Sequence, residues 1–351
     1  MIHRSYHWKL LAVLFVLFPF SGLASAPSAP KAADAFFLRP VADIALPGPA
    51  VRFDYQSLDA ENGRLYLAHM NADHLVVFDT VRQKVVANLP GFPRVHGVLV
   101  VPQLHRVYAS VTGAHQVAVV DTTTWKTIAL AGPVSYPDGL AYAPHQHRVF
   151  ISDEHGGVDA VMDVASNRML TSIPLGGGAG NTVYDSVSDE ILVAVHTVNE
   201  LVAIDPSRMQ IVARYALPGI GDPHGIALDT AHHLAFVAGE GNHTLALFDL
   251  TQHKLLATYP VGDDPDVLAF DPGLQLLYVS AESGVVTVFR EAHQRLKQVD
   301  RFTLPHAHTI SVDPKTHRVY LPLEDLHGAA VLRILVPGAA ADKASTASTQ
   351  P

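Results

Sequence analysis

Short runs of alternating apolar residues, each ending in an aspartate, recur along the chain at a nearly fixed spacing. Apolar alternation over so few residues predicts half-buried β-strands, and the 3.6-residue period of an amphipathic helix is absent. The runs VVFD, AVVD, AVMD, VAID and LALFD end 42 to 44 residues apart, at Asp79, Asp121, Asp163, Asp205 and Asp249. The pattern therefore predicts an all-β protein built from repeated sheets.

A second marker, an aromatic or aliphatic residue at the start of a β-rich stretch, returns seven times. Its members are also 42 to 44 residues apart: Tyr66, Tyr108, Phe150, Leu192, Phe236, Tyr278 and Tyr320. A period of about 40–45 residues with four short strands in each repeat is typical of a β-propeller blade. We therefore expect an all-β, seven-bladed β-propeller of four-stranded blades.

The last repeat lacks an outer strand, because the chain turns polar soon after residues 331–336 (VLRILV). The segment 41–48 (VADIALPG) closely resembles 212–219 (VARYALPG), which is the predicted outer strand of blade 4. The N-terminal strand is therefore expected to complete blade 7 and close the ring, which would leave no open sheet edge.

The two ends of the chain differ in composition from the repeats. Basic Arg4 and Lys9, an apolar stretch over 10–20 and small residues after it predict a signal peptide over 1–24, with cleavage after Ala24 or Ala26. We expect a linker over 25–38, a single propeller over 39–337 and a disordered tail over 338–351. The mature protein is then periplasmic or secreted, with no membrane span.

The charge of the chain narrows the choice of partners. The formal net charge is −9, and it becomes more negative once the signal peptide is removed. Binding to a phosphate backbone needs a concentrated basic face, so the composition argues against nucleic acid as a partner. A small-molecule or metal ligand, or an exported protein partner, remains, and the protein is expected to be a monomer.

Titratable residues recur at the start of each predicted inner strand, which in a propeller places them around one mouth of the central channel. This channel-mouth ring has spacings of 42 or 43 residues and consists of Asp54, His96, Asp138, Asn181, His224, Asp266 and His308. A second ring follows the second strands and surrounds the same mouth: Met70, Thr112, Glu154, His196, Glu240, Glu282 and Glu324. Such clustering of ionisable groups in one concavity is typical of metal and catalytic sites.

The repeats resemble the YVTN-repeat (YncE-like) family of seven-bladed β-propellers. The resemblance rests on the strand pairs at 64–79 (RLYLAHMNADHLVVFD) and 276–289 (LLYVSAESGVVTVF), and on Pro-His-Gly and Pro-Asp-Gly at 223–225 and 137–139. It extends over about 39–337 and implies the fold. Members of this family include nucleic-acid binders, lactonases, lyases and redox-partner subunits, so the resemblance does not imply one activity.

A divalent metal is the ligand that the residue types at the mouth favour. Imidazole and carboxylate together suit Zn²⁺, Fe²⁺, Mn²⁺ or Cu²⁺, and carboxylates also suit Ca²⁺. Three or four ligands are expected to reach the ion, drawn from His224, Asp266, His308, Glu282 and Glu324.

Three alternatives stay open. The ring residues could hydrate the channel or cap turns, as Asp and Asn often do, although histidine is not a favoured turn residue. The mouth could instead carry a metal-dependent lactonase-like hydrolase or a lyase, with His196 or His308 as the catalytic base. Finally, the propeller could be a scaffold that docks a protein or polymer without a metal.

Overall fold

The computed structural model describes residues 38–338 and contains seven four-stranded antiparallel sheets. The predicted all-β, seven-bladed propeller is confirmed. Within 38–338, no helix has the length and apolar content that a membrane crossing would need. The predicted signal peptide, all but the last residue of the linker and nearly all of the predicted tail lie outside the described residues.

Six sheets are formed from four consecutive strands each, in the order of the sequence. Blade 1 contains β2 (Gln56–Asp59), β3 (Arg64–His69), β4 (His74–Asp79) and β5 (Lys84–Pro90). Blade 2 contains β6 (Val95–Val101), β7 (Arg106–Val111), β8 (Gln116–Asp121) and β9 (Thr127–Ala131). Blade 3 contains β10 (Pro137–Ala143), β11 (Arg148–Asp153), β12 (Val158–Asp163) and β13 (Arg168–Pro174).

The next three blades repeat this arrangement. Blade 4 contains β14 (Ala179–Asp185), β15 (Glu190–Val195), β16 (Glu200–Asp205) and β17 (Gln210–Ala216). Blade 5 contains β18 (Pro223–Asp229), β19 (Leu234–Gly239), β20 (Thr244–Asp249) and β21 (Lys254–Pro260). Blade 6 contains β22 (Pro265–Asp271), β23 (Leu276–Ala281), β24 (Val285–Ala292) and β25 (Arg295–Thr303).

The seventh sheet combines strands from both ends of the described chain. It contains β26 (Ser311–Val312), β27 (Val319–Leu326), β28 (Ala329–Pro337) and, as its outer strand, β1 (Leu38–Ala45). Strand β1 pairs antiparallel with β28, and the guanidinium of Arg333 donates to both carboxylate oxygens of Asp43 at 2.8 and 2.7 Å. Leu38 is fully buried against residues of blade 6, including Phe302.

Short 3-10 helices connect strands at both ends of the blades. They are Met70–Ala72, Pro102–Leu104, Thr112–Ala114, His196–Val198 and Glu240–Asn242. Four of them begin at a residue of the second ring, immediately after the second strand of a blade. These turns therefore fix the backbone at four positions of the second ring.

The hydrophobic core lies between neighbouring sheets. Tyr66 of blade 1 is almost fully buried against Val98 and Val100 of blade 2, and Tyr108 packs in the same way against Ile151 of blade 3. The recurring aromatic marker is thus the residue through which one blade packs against the next. A blade buries its apolar faces only in this way, so the seven repeats stabilise one another.

The aspartate that ends the third strand in five of the blades is explained by turn chemistry. Asp79 Oδ1 accepts hydrogen bonds from the backbone N–H groups of Val81 and Arg82, at 3.0 and 2.7 Å. Asp205 and Asp249 accept the corresponding bonds in their own blades. An aspartate that satisfies two backbone donors fixes the hairpin to the outer strand, so this marker is structural.

Candidate functional site

β-Bulges position five of the seven members of the channel-mouth ring. The register between the first and second strands shifts in five blades: between Val95 and Val98, Pro137 and Leu140, Ala179 and Thr182, Pro223 and Ile226, and Pro265 and Val267. A bulge inserts one extra residue and re-aims a side chain away from the ladder. His96, Asp138, Asn181, His224 and Asp266 all lie within these bulges.

Glycine follows the ring residue in three blades because the next inner strand passes very close. A Cβ atom on Gly97 would lie 1.9 Å from the carbonyl oxygen of Asp138, and one on Gly225 would lie 1.8 Å from that of Asp266. A side chain at either position would push neighbouring blades apart. The glycines therefore allow the ring residues to converge at the mouth.

The mouth encloses a polar cavity of about 210 Å³. Five ring residues line it: Asp54, His96, Asp138, His224 and Asp266. Arg52, Tyr55, Tyr136, Glu154, Glu240 and Glu282 complete the lining. Asn181 instead lines a second cavity deeper in the channel.

His224 lies at the centre of the first group of ligand atoms. Its Nδ1 is 3.2 Å from Asp266 Oδ1 and 3.4 Å from Glu240 Oε1. Its other ring nitrogen, Nε2, is 3.7 Å from Asp138 Oδ2. His224, Glu240 and Asp266 each offer one ligand atom within 4.8 Å of the others, a geometry that could hold a metal ion.

A second group of ligand atoms shares Asp266 with the first. Asp54, Asp266 and His308 are all buried, and each offers one ligand atom within 4.8 Å of the others. His308 Nε2 lies 3.9 Å from Asp54 Oδ1, which is too long for a hydrogen bond. This group also could hold a metal ion.

Each group contains or adjoins a deeply buried atom without a hydrogen-bond partner in the described part of the chain. His308 Nε2 is one, and Asp138 Oδ2, beside His224, is the other. His308 and Asp138 are each only 3% exposed. Because burying a polar atom without a partner is costly, the two atoms mark positions where a ligand would be stabilising.

The pKa values of His224 and Asp138 are both raised. Burial disfavours the charged form of His224, but Asp266, Glu240 and Asp138 outweigh it and hold the pKa of this imidazole well above its ordinary value. Burial raises the pKa of Asp138 far above its ordinary value; His224 opposes this, whereas the charges of Asp54 and Asp266 add to it. Protons thus offset part of the negative charge of the mouth.

The pKa values of Glu240, Asp266 and His308 are shifted as well. Burial raises the pKa of Glu240 to about 7, with attraction from His224 opposing the rise and repulsion from Asp266 adding to it. For Asp266, burial is outweighed by the hydrogen bond and charge of His224, so its pKa is lowered. The pKa of His308 is raised, because Asp54 and Asp266 outweigh burial and the repulsion of Arg52.

Two of the predicted metal ligands lie outside both groups. Glu282 is half-exposed and accepts a hydrogen bond from the Arg52 guanidinium at 2.7 Å. Glu324 pairs with His306 at 3.5 Å. Three predicted ligands, His224, Asp266 and His308, do belong to the groups. Asp54 and Glu240, which the sequence placed only in the two rings, are brought together with them.

The predicted catalytic base His196 lies beside the mouth, above Gly178. A Cβ atom on that glycine would lie 2.4 Å from His196 Nε2, so only glycine fits beneath the ring. His196 Nε2 is buried and has no hydrogen-bond partner among residues 38–338. Burial and then the neighbouring charge of His224 lower the pKa of His196, which keeps the imidazole neutral.

Tyr136 fixes the orientation of His96, and sequence reasoning missed it. His96 Nδ1 donates to the carbonyl oxygen of Arg94 at 2.7 Å, and the hydroxyl of Tyr136 lies 3.1 Å from His96 Nε2. The carbonyl can only accept, so Nδ1 carries the proton in the neutral ring. Nε2 then accepts from the tyrosine.

Tyr55 is the other residue that sequence reasoning missed. Its hydroxyl lies 3.5 Å from both His224 Nδ1 and Asp266 Oδ1, although Tyr55 belongs to blade 1 and these partners to blades 5 and 6. The aromatic ring lines the mouth cavity and also a deeper cavity of about 290 Å³. Tyr55 therefore separates the two. A break in the repeat signals it, since the matching positions hold Gly97, Gly139, Thr182, Gly225, Val267 and Thr309.

Comparison with known proteins shows the fold. The chain is similar in structure to Kuenenia stuttgartiensis hydrazine synthase, with a TM-score of 0.70 over 82% of this chain and 96% of that one. The two are 16% identical in sequence, so this likeness concerns the fold alone. No protein-family model matches the chain, and no curated protein sequence matches it.

Proposed function

We propose that this protein binds a divalent metal cation at the mouth of its channel. The observation that carries the proposal is the pair of ligand groups that meet at Asp266, each made of one imidazole and two carboxylates. The unpartnered, buried Nε2 of His308 supports it, because a cation bound with Asp54 and Asp266 would supply the missing partner. Mixed nitrogen and oxygen donors suit Zn²⁺, Mn²⁺ or Fe²⁺.

The setting of the site follows from the sequence. We place the chain in the YVTN-repeat family on the strength of its repeat markers, which match the seven observed blades. We also place the protein outside the cytoplasm, in the periplasm or secreted, because residues 1–24 have the pattern of a signal peptide. The site would then bind and use its metal in the periplasm or outside the cell.

Elemental analysis tests metal binding directly. Protein purified without a histidine tag is stripped with a chelator, incubated with Zn²⁺ or Mn²⁺ and desalted. We expect at least one retained equivalent per chain. Asp266→Asn removes a ligand from both groups and should lower retention at least tenfold, whereas Glu324→Gln, a mouth carboxylate outside both groups, should retain as much metal as the wild type. Retention far below one equivalent in the wild type, or equal retention in Asp266→Asn, would contradict the proposal.

Catalysis at the same mouth is a second candidate, and His196 is the residue that favours it. Its buried Nε2 has no hydrogen-bond partner within residues 38–338, and with the ring proton on Nδ1 it can accept a proton, as a base in lactone hydrolysis or elimination requires. A panel of lactones and esters with added Mn²⁺, Zn²⁺, Ca²⁺ or Mg²⁺ tests this candidate. We expect turnover to fall at least 100-fold in His196→Gln while metal retention stays unchanged. Turnover that is equal in the two proteins would exclude His196 as the base.

A further inference from the structure

We infer that the mouth holds two divalent cations at once, bridged by the carboxylate of Asp266. One cation is bound by His224, Glu240 and Asp266, and the other by Asp54, Asp266 and His308. The inference rests on the proposed function and deepens it, since it specifies how many ions the site takes and which residue joins them.

The two groups use separate ligands apart from Asp266. His224 and Glu240 come from blade 5, whereas Asp54 comes from blade 1 and His308 from blade 7. Occupation of one group therefore leaves two ligands of the other unused. Asp266 lies on blade 6, between these contributors, and its Oδ1 faces His224 at 3.2 Å. A carboxylate has two oxygens, so it can offer one to each cation.

Each half of the site has its own unsatisfied buried atom. Asp138 Oδ2 lies 3.7 Å from His224 Nε2 and marks the half that contains His224. His308 Nε2 marks the other half, and neither atom has a hydrogen-bond partner within residues 38–338. A cation on His224 Nδ1 leaves the ring proton on Nε2, which faces Asp138 Oδ2, and does not reach His308. The buried Nε2 of His308 is therefore relieved only by a second cation, in the group of Asp54, Asp266 and His308.

The charge of the mouth also fits two cations better than one. Four carboxylates lie in or against the two groups: Asp54, Asp138, Asp266 and Glu240. When all four are ionised, one divalent cation offsets only half of their charge, and like charges held this close repel strongly in a partly dry cavity. Arg52 offsets part of the charge, but its guanidinium is committed to Glu282 at 2.7 Å. A second divalent cation would offset the other half of the carboxylate charge.

The ligand types define the class of metal. Each half supplies one imidazole nitrogen and carboxylate oxygens, which suits first-row divalent ions, whereas Ca²⁺ prefers a shell made of oxygen alone. Two-metal centres hold their ions about 3.5–4 Å apart, a separation that a bridging carboxylate spans. We therefore expect Zn²⁺, Mn²⁺ or Fe²⁺ in both positions.

Metal stoichiometry tests the inference. Chelator-treated, untagged protein is titrated with Zn²⁺ by calorimetry, and retained metal is measured after desalting. We expect two equivalents in the wild type and in the control Glu324→Gln. Glu240→Gln and Asp54→Asn each remove a ligand from one group only, so each should retain one equivalent. Asp266→Asn should lose both. Far-UV circular dichroism checks that each variant keeps its fold.

A second measurement needs no variant. Wild-type protein loaded with two equivalents of Mn²⁺ should give the electron paramagnetic resonance spectrum of an exchange-coupled pair, because the ions share a carboxylate. Two isolated six-line spectra, or a titration that ends at one equivalent, would overturn the bridged pair and leave the proposed metal binding intact. No retained metal at all would overturn both.

Discussion

At the scale of single residues, histidine has two separate uses in this protein. Ten histidines in the described chain have left-handed backbone conformations, with φ between 52° and 58°, among them His105, His147 and His317. The expectation that histidine is not a turn residue is therefore wrong for this chain, where it tolerates positive φ as Asn and Asp do. His96, His224 and His308 have no such conformation, so tolerance of positive φ does not account for the histidines of the mouth.

Asp159 is a residue whose charge works against the fold. It is fully buried in β12, and Thr182 donates to its Oδ2 at 3.1 Å. The matching positions of other blades hold apolar residues: Leu75, Val117, Leu201 and Leu245. Burial raises the pKa of Asp159 to about 7, against hydrogen bonds from Thr182 and the backbone of Ile151. Folding therefore favours the protonated form of this side chain.

The pH dependence of stability follows from that shift. The pKa of Asp159 is higher in the folded than in the unfolded chain. The stability that its proton contributes is therefore fully present below about pH 4 and is lost as the pH rises through about 7. At pH 8 we expect Asp159→Leu to raise the free energy of unfolding by up to about 4 kcal/mol, and to have much less effect at pH 4. Asp159→Asn, which keeps the shape without the charge, should flatten the same pH dependence. Urea unfolding at a series of pH values measures the stability of both variants. An equal effect of Asp159→Leu at pH 4 and pH 8 would contradict the raised pKa of Asp159.

At the scale of strands and turns, the sequence predicts position well and side-chain partners poorly. The period of 42 or 43 residues places Glu240, Glu282 and Glu324 on equivalent turns. Only Glu240 joins a ligand group, because Arg52, which precedes blade 1, binds Glu282 of blade 6, and His306 faces Glu324. Equivalent positions share a backbone environment, but the residues that other parts of the chain bring to them differ, and no local pattern encodes those pairings.

The outer strand β1 gives a prediction at this scale. A chain beginning at residue 47 would lack β1, which exposes the ladder edge of β28 and removes Leu38 from its fully buried site. An unpaired edge promotes association with other chains. We expect this truncation to unfold at lower urea concentration than the wild type and to form aggregates detectable by light scattering. A chain beginning at residue 38 keeps β1 and is the control, expected to match the wild type. Equal stability of the two truncations would show that β1 contributes nothing.

At the scale of the whole molecule, Tyr55 connects opposite sides of the ring. It is 8% exposed, and its hydroxyl lies 3.5 Å from residues on blades 5 and 6. The repeat pattern predicts the seven blades and the mouth residues because both are periodic. A side chain that crosses the channel depends on distances between blades that are far apart in sequence, so its contacts could not be read from the period.

Substitution of Tyr55 separates the contributions of its ring and its hydroxyl. We expect Tyr55→Ala to lower the free energy of unfolding of metal-free protein by about 3–5 kcal/mol, as truncation of a buried aromatic side chain does. Tyr55→Phe keeps the ring between the two cavities and loses only long hydrogen bonds, so its free energy of unfolding should fall by about 1 kcal/mol or less. Urea unfolding of both variants decides the matter. Equal losses would mean that the hydroxyl, and not the ring, stabilises the channel.

The ligands of the mouth are spread over almost the entire propeller, and this has a consequence for biogenesis. Asp54 and His308 belong to the first and last blades, and their side chains meet only when those blades are neighbours. During synthesis, therefore, no partial chain ending before residue 308 contains the group of Asp54, Asp266 and His308. A cation that binds this group would stabilise only the assembled chain in which the first and last blades are neighbours. This group would then retain a metal ion only in chains whose blades have all assembled.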